Sequence, residues 1–387
     1  MLYLDNNSTT PIDPEVLDAM LPYLKEEYGN PSSRYYTLAV NASNAVEHAR
    51  EQVASLINAD PKEIIFTAGA SESNNFIIKG VADYQKFYEE KGNHIITSTV
   101  EHKSVLQTCN FLDGTIFNNK STNTATSRFL KTKVMPKKID RGYKVTFLPV
   151  NEYGQVESTT FENAIKDTTI LASFIWGNNE IGSLNDLVSL VSIANSKSIL
   201  IHSDATQVLG KIHIDTKNLP IDFLSFSAHK IYGPKGIGAA YIRQKGLPYK
   251  MTSLIHGGQQ EYGYRGGTSA VHNIVGFGKS CEIAKRDFDK DVKQLNEHEE
   301  KARRELIAKY PDIKFLGDPD HHIPGMISVI IPGIINEMLI KKMADTTAIS
   351  SGSACGIGEP SYVIKEIGLE GVSSNFLRLA FNKYKNI

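Results

Sequence analysis

The chain has 387 residues, 41% of them hydrophobic, which is more than one typical domain and ample for a large buried core, so two domains are expected. Lys plus Arg (42) nearly balances Asp plus Glu (43), which leaves no whole-protein field to attract nucleic acid or an anionic membrane, and neither is expected as a direct partner. The opening Met-Leu-Tyr-Leu-Asp-Asn-Asn has no basic segment ahead of an apolar one, and no later run has the length of a bilayer span; the expectation is a soluble, unexported chain of the cytoplasm or an organellar matrix.

In chain order, short β-rich runs alternate with helical patterns: EIIFT (63–67), HIITS (94–98), KVTFLPV (144–150), ILASFI (170–175), ILIHS (199–203) and FLSFS (223–227). This alternation predicts an α/β fold with a mostly parallel sheet flanked by helices. Ligand sites in such sheets lie beyond the carboxyl ends of the strands, which is where Ser71, His102, Asn179, Asp204 and Lys230 fall. The stretch from Gly114 through Lys144 carries eight basic residues against one acid, with the polar run NNKSTNTAT at 118–126, and reads as a solvated surface insertion rather than a dedicated docking loop. After about residue 262 comes a long charged helical stretch to Tyr310, then an apolar strand, GMISVIIPG (325–333), a helix and FLRLAF (376–381). The expected division is a large domain over 15–261 and a smaller α+β domain built from 1–14 and 262–387.

Three cysteines, Cys109, Cys281 and Cys355, are too few and too scattered for a disulfide framework or a CxxC zinc site, and no metal is expected. Cys109 and Cys281 lie in helical patterns, where a free thiol is ordinarily a small buried hydrophobe. Cys355 sits in SSGSAC among Gly352, Gly356 and Gly358, a setting that predicts a movable, reactive thiol.

The run SFSAHKIYGPKG (225–236) places a lysine directly after Ser-x-His, and HSDATQVLGK (202–211) places an acid at a strand's carboxyl end. Pyridoxal phosphate (PLP) chemistry needs a lysine to hold the aldehyde, an acid to keep the ring nitrogen protonated and a phosphate cradle. Lys230 is the candidate Schiff-base lysine, and Asp204 the candidate partner of the pyridine nitrogen. Gln207, one short turn on, is placed to reach the ring hydroxyl. In TAGASESNN (67–75) a strand gives way to a helix, so the N–H groups around Ala70 and Ser71 and the Ser71 hydroxyl suit a phosphate, with Ser227 and His229 completing the cradle. Each has a bland reading too: Asp204 as a helix cap, Lys230 as a loop lysine, His102 as a hydrogen-bonded structural histidine. Their joint occurrence in this order is what carries weight.

At this point the chain resembles the NifS-like cysteine desulfurases, class V aminotransferase-type PLP enzymes of fold type I. The resemblance runs nearly end to end through LDNNSTTPIDP (4–14), GNPSSR (29–34), TAGASESNN, EHKSV (101–105), NNEIG (178–182), HSDATQVLGK, SFSAHKIYGPKG, HGGQQEYGYRGGT (256–268) and SSGSACGIGEPSYV (350–363). It implies that His102 stacks on the cofactor ring and shuttles protons, and that Asn179 lies beside the ring hydroxyl and the substrate. Thr268 would reach the phosphate of a partner subunit, giving a homodimer with composite sites, and Arg378 would pair with the substrate carboxylate. Cys355 would attack the sulfur of L-cysteine and carry it away as a persulfide, leaving alanine. The sulfur acceptor implied is a protein, an iron–sulfur scaffold among the candidates, with thiolated RNA or another sulfur-modified product as the end use. Three features depart from the family pattern: the basic insertion after Cys109, a short segment from Cys355 to Ser361, and an ending at FNKYKNI soon after the Arg378 strand. A related class V aminotransferase or selenocysteine lyase shares the cofactor site without needing the same thiol. An inactive binding module would not need Lys230, Asp204, His102, Cys355 and Arg378 together.

Overall fold

A computed structural model describes residues 1–115, 138–244, 251–352 and 361–384. In chain order β1 (Leu2–Tyr3), α1 (Pro14–Lys25) and α2 (Thr37–Leu56) lead into β2 (Ile64–Thr67), α3 (Ala70–Phe87), β3 (His94–Ser98) and α4 (Lys103–Leu112). Then come β4 (Lys144–Leu148), α5 (Ser158–Ala164), β5 (Thr169–Ile175), α6 (Leu187–Ser196), β6 (Leu200–Asp204), β7 (Phe223–Ser227) and β8 (Gly238–Ile242). The C-terminal part holds α7 (Val271–Arg286), α8 (Phe288–Lys309), β9 (Lys314–Phe315), β10 (Met326–Ile330), α9 (Asn336–Met343), β11 (Thr347–Ala348), α10 (Tyr362–Glu366) and β12 (Phe376–Ala380).

Seven strands form one sheet in the order β2-β8-β7-β6-β5-β3-β4. All of them run parallel except β8, which is antiparallel to both β2 and β7. Strands β2, β3, β5, β6, β7 and β8 are buried along their whole length, as expected for a sheet covered by helices on both faces. One face packs on a cluster that includes Val46, Phe66, Phe174, Leu190 and Phe277; the other packs on Ile77, Val81, Val105 and Cys109 of α3 and α4. Because β8 reverses direction between β7 and β2, the carboxyl ends of β2, β3, β5, β6 and β7 all point to one rim.

β8 was not foreseen. Its sequence, GAAYI, has little β propensity at its start and no alternation. Close approach explains the small residues: a Cβ on Gly238 would lie 2.3 Å from the Phe226 carbonyl oxygen and 2.7 Å from the Gly69 Cα. Gly238→Ala is therefore expected to cost about 1–3 kcal/mol through forced separation of β7 and β8, read as a lower urea midpoint; an unchanged midpoint would show that the strands spread freely.

The charged stretch after 262 divides into α7 and α8 at Asp287, whose φ/ψ of −104°/12° leaves the helical region. α7 packs on α2 and α1. β12, β10 and β9 form a three-stranded antiparallel sheet, and β1 pairs in parallel with β11, so the chain's first residues join its C-terminal part. The insertion run at 118–126 lies outside the described residues. Among the described residues no helix is long and apolar enough to cross a membrane.

Candidate active site

A cavity of ≈ 680 Å³ opens at the carboxyl rim of the large sheet. Ala70, Ser71, His102, Asn179, Asp204, Gln207, Ser227, His229, Lys230 and Arg378 all line it, so ten of the residues singled out from sequence meet in one place. Thr268 does not; it is exposed, in the loop ahead of α7. Cys355 lies in 353–360, outside the described residues. The flanking Gly352 and Ser361 line a second groove of ≈ 840 Å³, and Ser8 is shared by the groove and the cavity.

Lys230 ends a 3-10 turn, Ala228–Lys230, that follows β7 directly. Its Nζ donates to the carbonyl oxygens of Asn7 (2.5 Å) and Ser8 (2.7 Å), in the segment between β1 and α1. Burial, with Arg378 and Lys211 adding like charge, lowers its pKa from 10.5 to about 7 despite Asp5 and Asp204. Half the lysine population is then a neutral amine near pH 7, the form that attacks an aldehyde. Lys211, partly buried, is likewise lowered to about 8 by burial and Arg378, and its Nζ lies 3.3 Å from Asn7 Oδ1.

Asp204 ends β6 and is 4% exposed. Its Oδ2 accepts from Asn74 Nδ2 at 2.8 Å and its Oδ1 from the Thr206 N–H at 3.1 Å. No lysine or arginine neutralises it by direct contact among the described residues, which leaves its charge for a cationic group in the cavity. His102 is the N-cap of α4, with Nδ1 accepting from the Ser104 N–H. Burial lowers its pKa; Lys230 and Lys103 reinforce that shift and Asp204 opposes it.

The cradle is built where β2 turns into α3. Gly69, the N-cap, has φ +148°, and a Cβ there would approach Ser227 Oγ to 3.6 Å, filling the space beside the helix N-terminus. The first-turn N–H groups of Ala70 and Ser71 have no intrahelical acceptor. His229 is pushed down to about 4 by burial, then by Lys230 and Lys235, so it stays neutral there, with Nδ1 3.1 Å from Thr9 Oγ1. Glu72, also in the first turn, is paired with Arg265 (3.0 Å), which ties the loop bearing Thr268 to this corner.

Arg378, on β12, is the largest fully buried side chain among the described residues. Its Nη1 donates to the Asn179 carbonyl (2.7 Å), and its Nη2 to Asp5 Oδ1 (2.7 Å) and Ser8 Oγ (2.9 Å). Nε is buried, with no partner among the described residues. The guanidinium expected to hold a substrate carboxylate is thus already braced by Asp5, a residue the sequence reading left without a role. Asn179 Oδ1 and Gln207 Oε1 are also buried, with no partner among the described residues, while Gln207 Nε2 donates to the Asn7 carbonyl at 3.1 Å. Unmet acceptors of this kind, in a cavity that also offers an amine, a carboxylate and a helix N-terminus, fit the chemistry of PLP.

The family model for class-V aminotransferases matches residues 2–123 and 132–387. The chain belongs to the class-V aminotransferase family. Within it, a human cysteine desulfurase is 40% identical over 386 residues, 99% of this chain and 78% of the relative. The cysteine desulfurase IscS of Rickettsia typhi is 41% identical over 99% of this chain and 87% of its own length. Among solved structures, a NifS-like protein superposes with a TM-score of 0.85 at 32% identity, over 100% of this chain and 94% of that one. SspA in complex with cysteine gives 0.80 at 34% identity over the whole of both chains. The mostly parallel sheet with its separate small sheets is thus the architecture of this class-V family, as the sequence motifs implied.

Sequence reading missed Asn7 and Ser8, which receive the Lys230 amine; Lys211, behind it; Asp5, on Arg378; and Asn74 with Ser104. The one available signal was position: Asn74 falls on the α3 face that bears Ile77, Ile78 and Val81 toward the sheet, where a polar side chain needs a buried partner. Cys109 and Cys281 are both fully buried, and burial pushes both thiols up, which argues against either as a nucleophile.

Proposed function

We propose that this chain is a PLP-dependent cysteine desulfurase, which converts L-cysteine to L-alanine and leaves the sulfur as a persulfide on Cys355. The observation that carries the reading is the convergence of Lys230, Asp204, His102, Asn179, Gln207 and Arg378 on one cavity at the sheet's carboxyl rim, in a chain 40% identical to curated cysteine desulfurases. PLP, when bound, supplies an electron sink for the substrate carbanion. Lys230 would hold its aldehyde, Asp204 its ring nitrogen, Gln207 and Asn179 the ring hydroxyl side, and Ser71, Ser227, His229 and the Ala70–Ser71 N–H groups its phosphate. Arg378, braced by Asp5 and Ser8, offers a fixed positive charge to the substrate carboxylate.

The remaining assignments follow from this reading. Thr268 serves the phosphate of a partner subunit, so the active unit is a homodimer; its exposed position away from its own cavity favours that role. The acceptor is a protein that takes sulfur from Cys355, as in iron–sulfur cluster assembly. Ser8, shared by the cavity and the groove that Gly352 and Ser361 line, supports a short path for sulfur between them.

Cys355→Ala tests the reading. Alanine production from L-cysteine is expected to fall by about 100-fold or more, because a methyl group cannot attack sulfur, while the cofactor's visible absorbance is retained. Undiminished turnover would remove the desulfurase mechanism and favour a class V aminotransferase or lyase that does not use this thiol.

A further inference from the structure

Asn74 is fully buried in α3, and its amide nitrogen serves two acceptors at once: Asp204 Oδ2 at 2.8 Å and Ser104 Oγ at 2.8 Å. An ionised carboxylate accepts only, so the nitrogen, and not the oxygen, of the amide must face Asp204. Among the described residues Asn74 Oδ1 is left buried without a partner, so the site holds the amide in this orientation at the expense of its acceptor. The Ser104 hydroxyl, having accepted from Asn74, directs its own proton to the remaining neighbour, His102 Nδ1, at 2.7 Å. The Ser104 backbone N–H donates to the same nitrogen at 3.2 Å. Two donors converge on Nδ1, so Nδ1 carries the lone pair and the proton of the neutral ring sits on Nε2.

We propose that Asn74 and Ser104 are positioning residues that lock His102 as its Nε2–H tautomer and tie it to the Asp204 carboxylate. Among the described residues Nε2 has no hydrogen-bond partner, and the ring lines the cavity, so the nitrogen left to meet a bound molecule is a donor. The resting His102 then gives a hydrogen bond to substrate or cofactor and cannot itself accept a proton at Nε2. A role as a base through Nε2 requires that a proton first leave that nitrogen. Burial lowers the basicity of the ring, which agrees with a neutral resting imidazole. The inference rests on the proposed function only for its mechanistic meaning; the tautomer is a property of the protein without cofactor.

The test is long-range 1H–15N NMR of the full chain labelled with 15N-histidine, freed of cofactor, at pH 7.5, with His102 assigned by His102→Gln. Nδ1 should show a pyridine-type shift and Nε2 a pyrrole-type one. Losing the hydroxyl in Ser104→Ala, or its orienting donor in Asn74→Ala, should lower the Nε2–H to Nδ1–H ratio about fivefold, the effect of one ordinary hydrogen bond. Ser104→Thr should restore it. A pyrrole-type Nδ1 in the wild type overturns the proposal. So does an unchanged ratio in Ser104→Ala, which would assign the ring's state to the backbone cap alone; this variant decides the matter if Asn74→Ala fails to fold. Because neither cofactor nor substrate is present, failure of the desulfurase reading would leave these shifts unaffected.

Discussion

Lys230→Ala is expected to lower L-cysteine turnover by about 1,000-fold or more, a loss of the size that follows removal of an essential covalent group, and to abolish the visible band of lysine-bound cofactor. Lys235 also lines the cavity, but it is exposed, on the loop five residues after Lys230. Lys211 is a second rival amine, but it is engaged with Asn7 Oδ1 and does not line the cavity. The carbonyl oxygens of Asn7 and Ser8 hold the free amine at 2.5 and 2.7 Å, so the nucleophile is positioned before any aldehyde arrives. The lowered pKa adds a pH dependence of fixed sign: the neutral fraction grows as pH rises through about 7, instead of through the ordinary 10.5. Capture of cofactor by the cofactor-free wild type, followed by absorbance, should accelerate from pH 6 to 8 and then level off. A rate still climbing toward pH 10 would mean an ordinary lysine, and a persistent band in Lys230→Ala would refute the assignment.

Why so much of this site could be read from sequence, and the rest not, has a physical basis. Residues proposed to touch the reacting groups, such as Asp204 and Lys230, sit at or just beyond the ends of strands, where β-rich runs give way to small or polar residues. Asp204 and Lys230 are visible as departures from apolar runs, and the parallel order of those strands brings them to one rim. β8 escaped notice because its composition answers to the approach of Gly69 and Phe226, neighbours far away in sequence. The Arg378–Asp5 pair joins residues 373 positions apart, and Asn74–Asp204 joins residues 130 apart; no periodicity in the chain marks either. His102 was visible, but the state of its ring was not, since that depends on which atoms of Ser104 face Nδ1.

The other large effect lies away from the cavity. Arg50→Ala is expected to lower stability by about 3–5 kcal/mol, the usual cost of removing one member of a buried ion pair, out of roughly 5–15 kcal/mol for a folded domain. Arg50 and Glu261 form a two-pronged pair, Nη1–Oε2 at 2.8 Å and Nη2–Oε1 at 2.9 Å, with side chains only 3% and 5% exposed. Arg50 Nη1 also donates to the Ile64 carbonyl, and Glu261 Oε2 accepts the Phe66 N–H, so the pair clamps β2. The guanidinium lies over the rings of Phe66 and Tyr262, at 4.8 and 5.4 Å. Without Arg50 the Glu261 carboxylate is stranded in an apolar setting, and the positive φ values of Glu261 (47°) and Tyr262 (58°) lose the contacts that hold them. Replacing both partners, Arg50→Met with Glu261→Leu, should recover a good part of the loss, since no lone charge remains buried. The urea midpoints of the single and double variants measure this directly; a single variant within about 1 kcal/mol of wild type would fall outside what a buried pair costs. Thr268 follows seven residues after Glu261 on the same loop, so under the proposed role of Thr268 loosening this clamp should also weaken cofactor retention, and the double variant separates lost charge from lost anchorage.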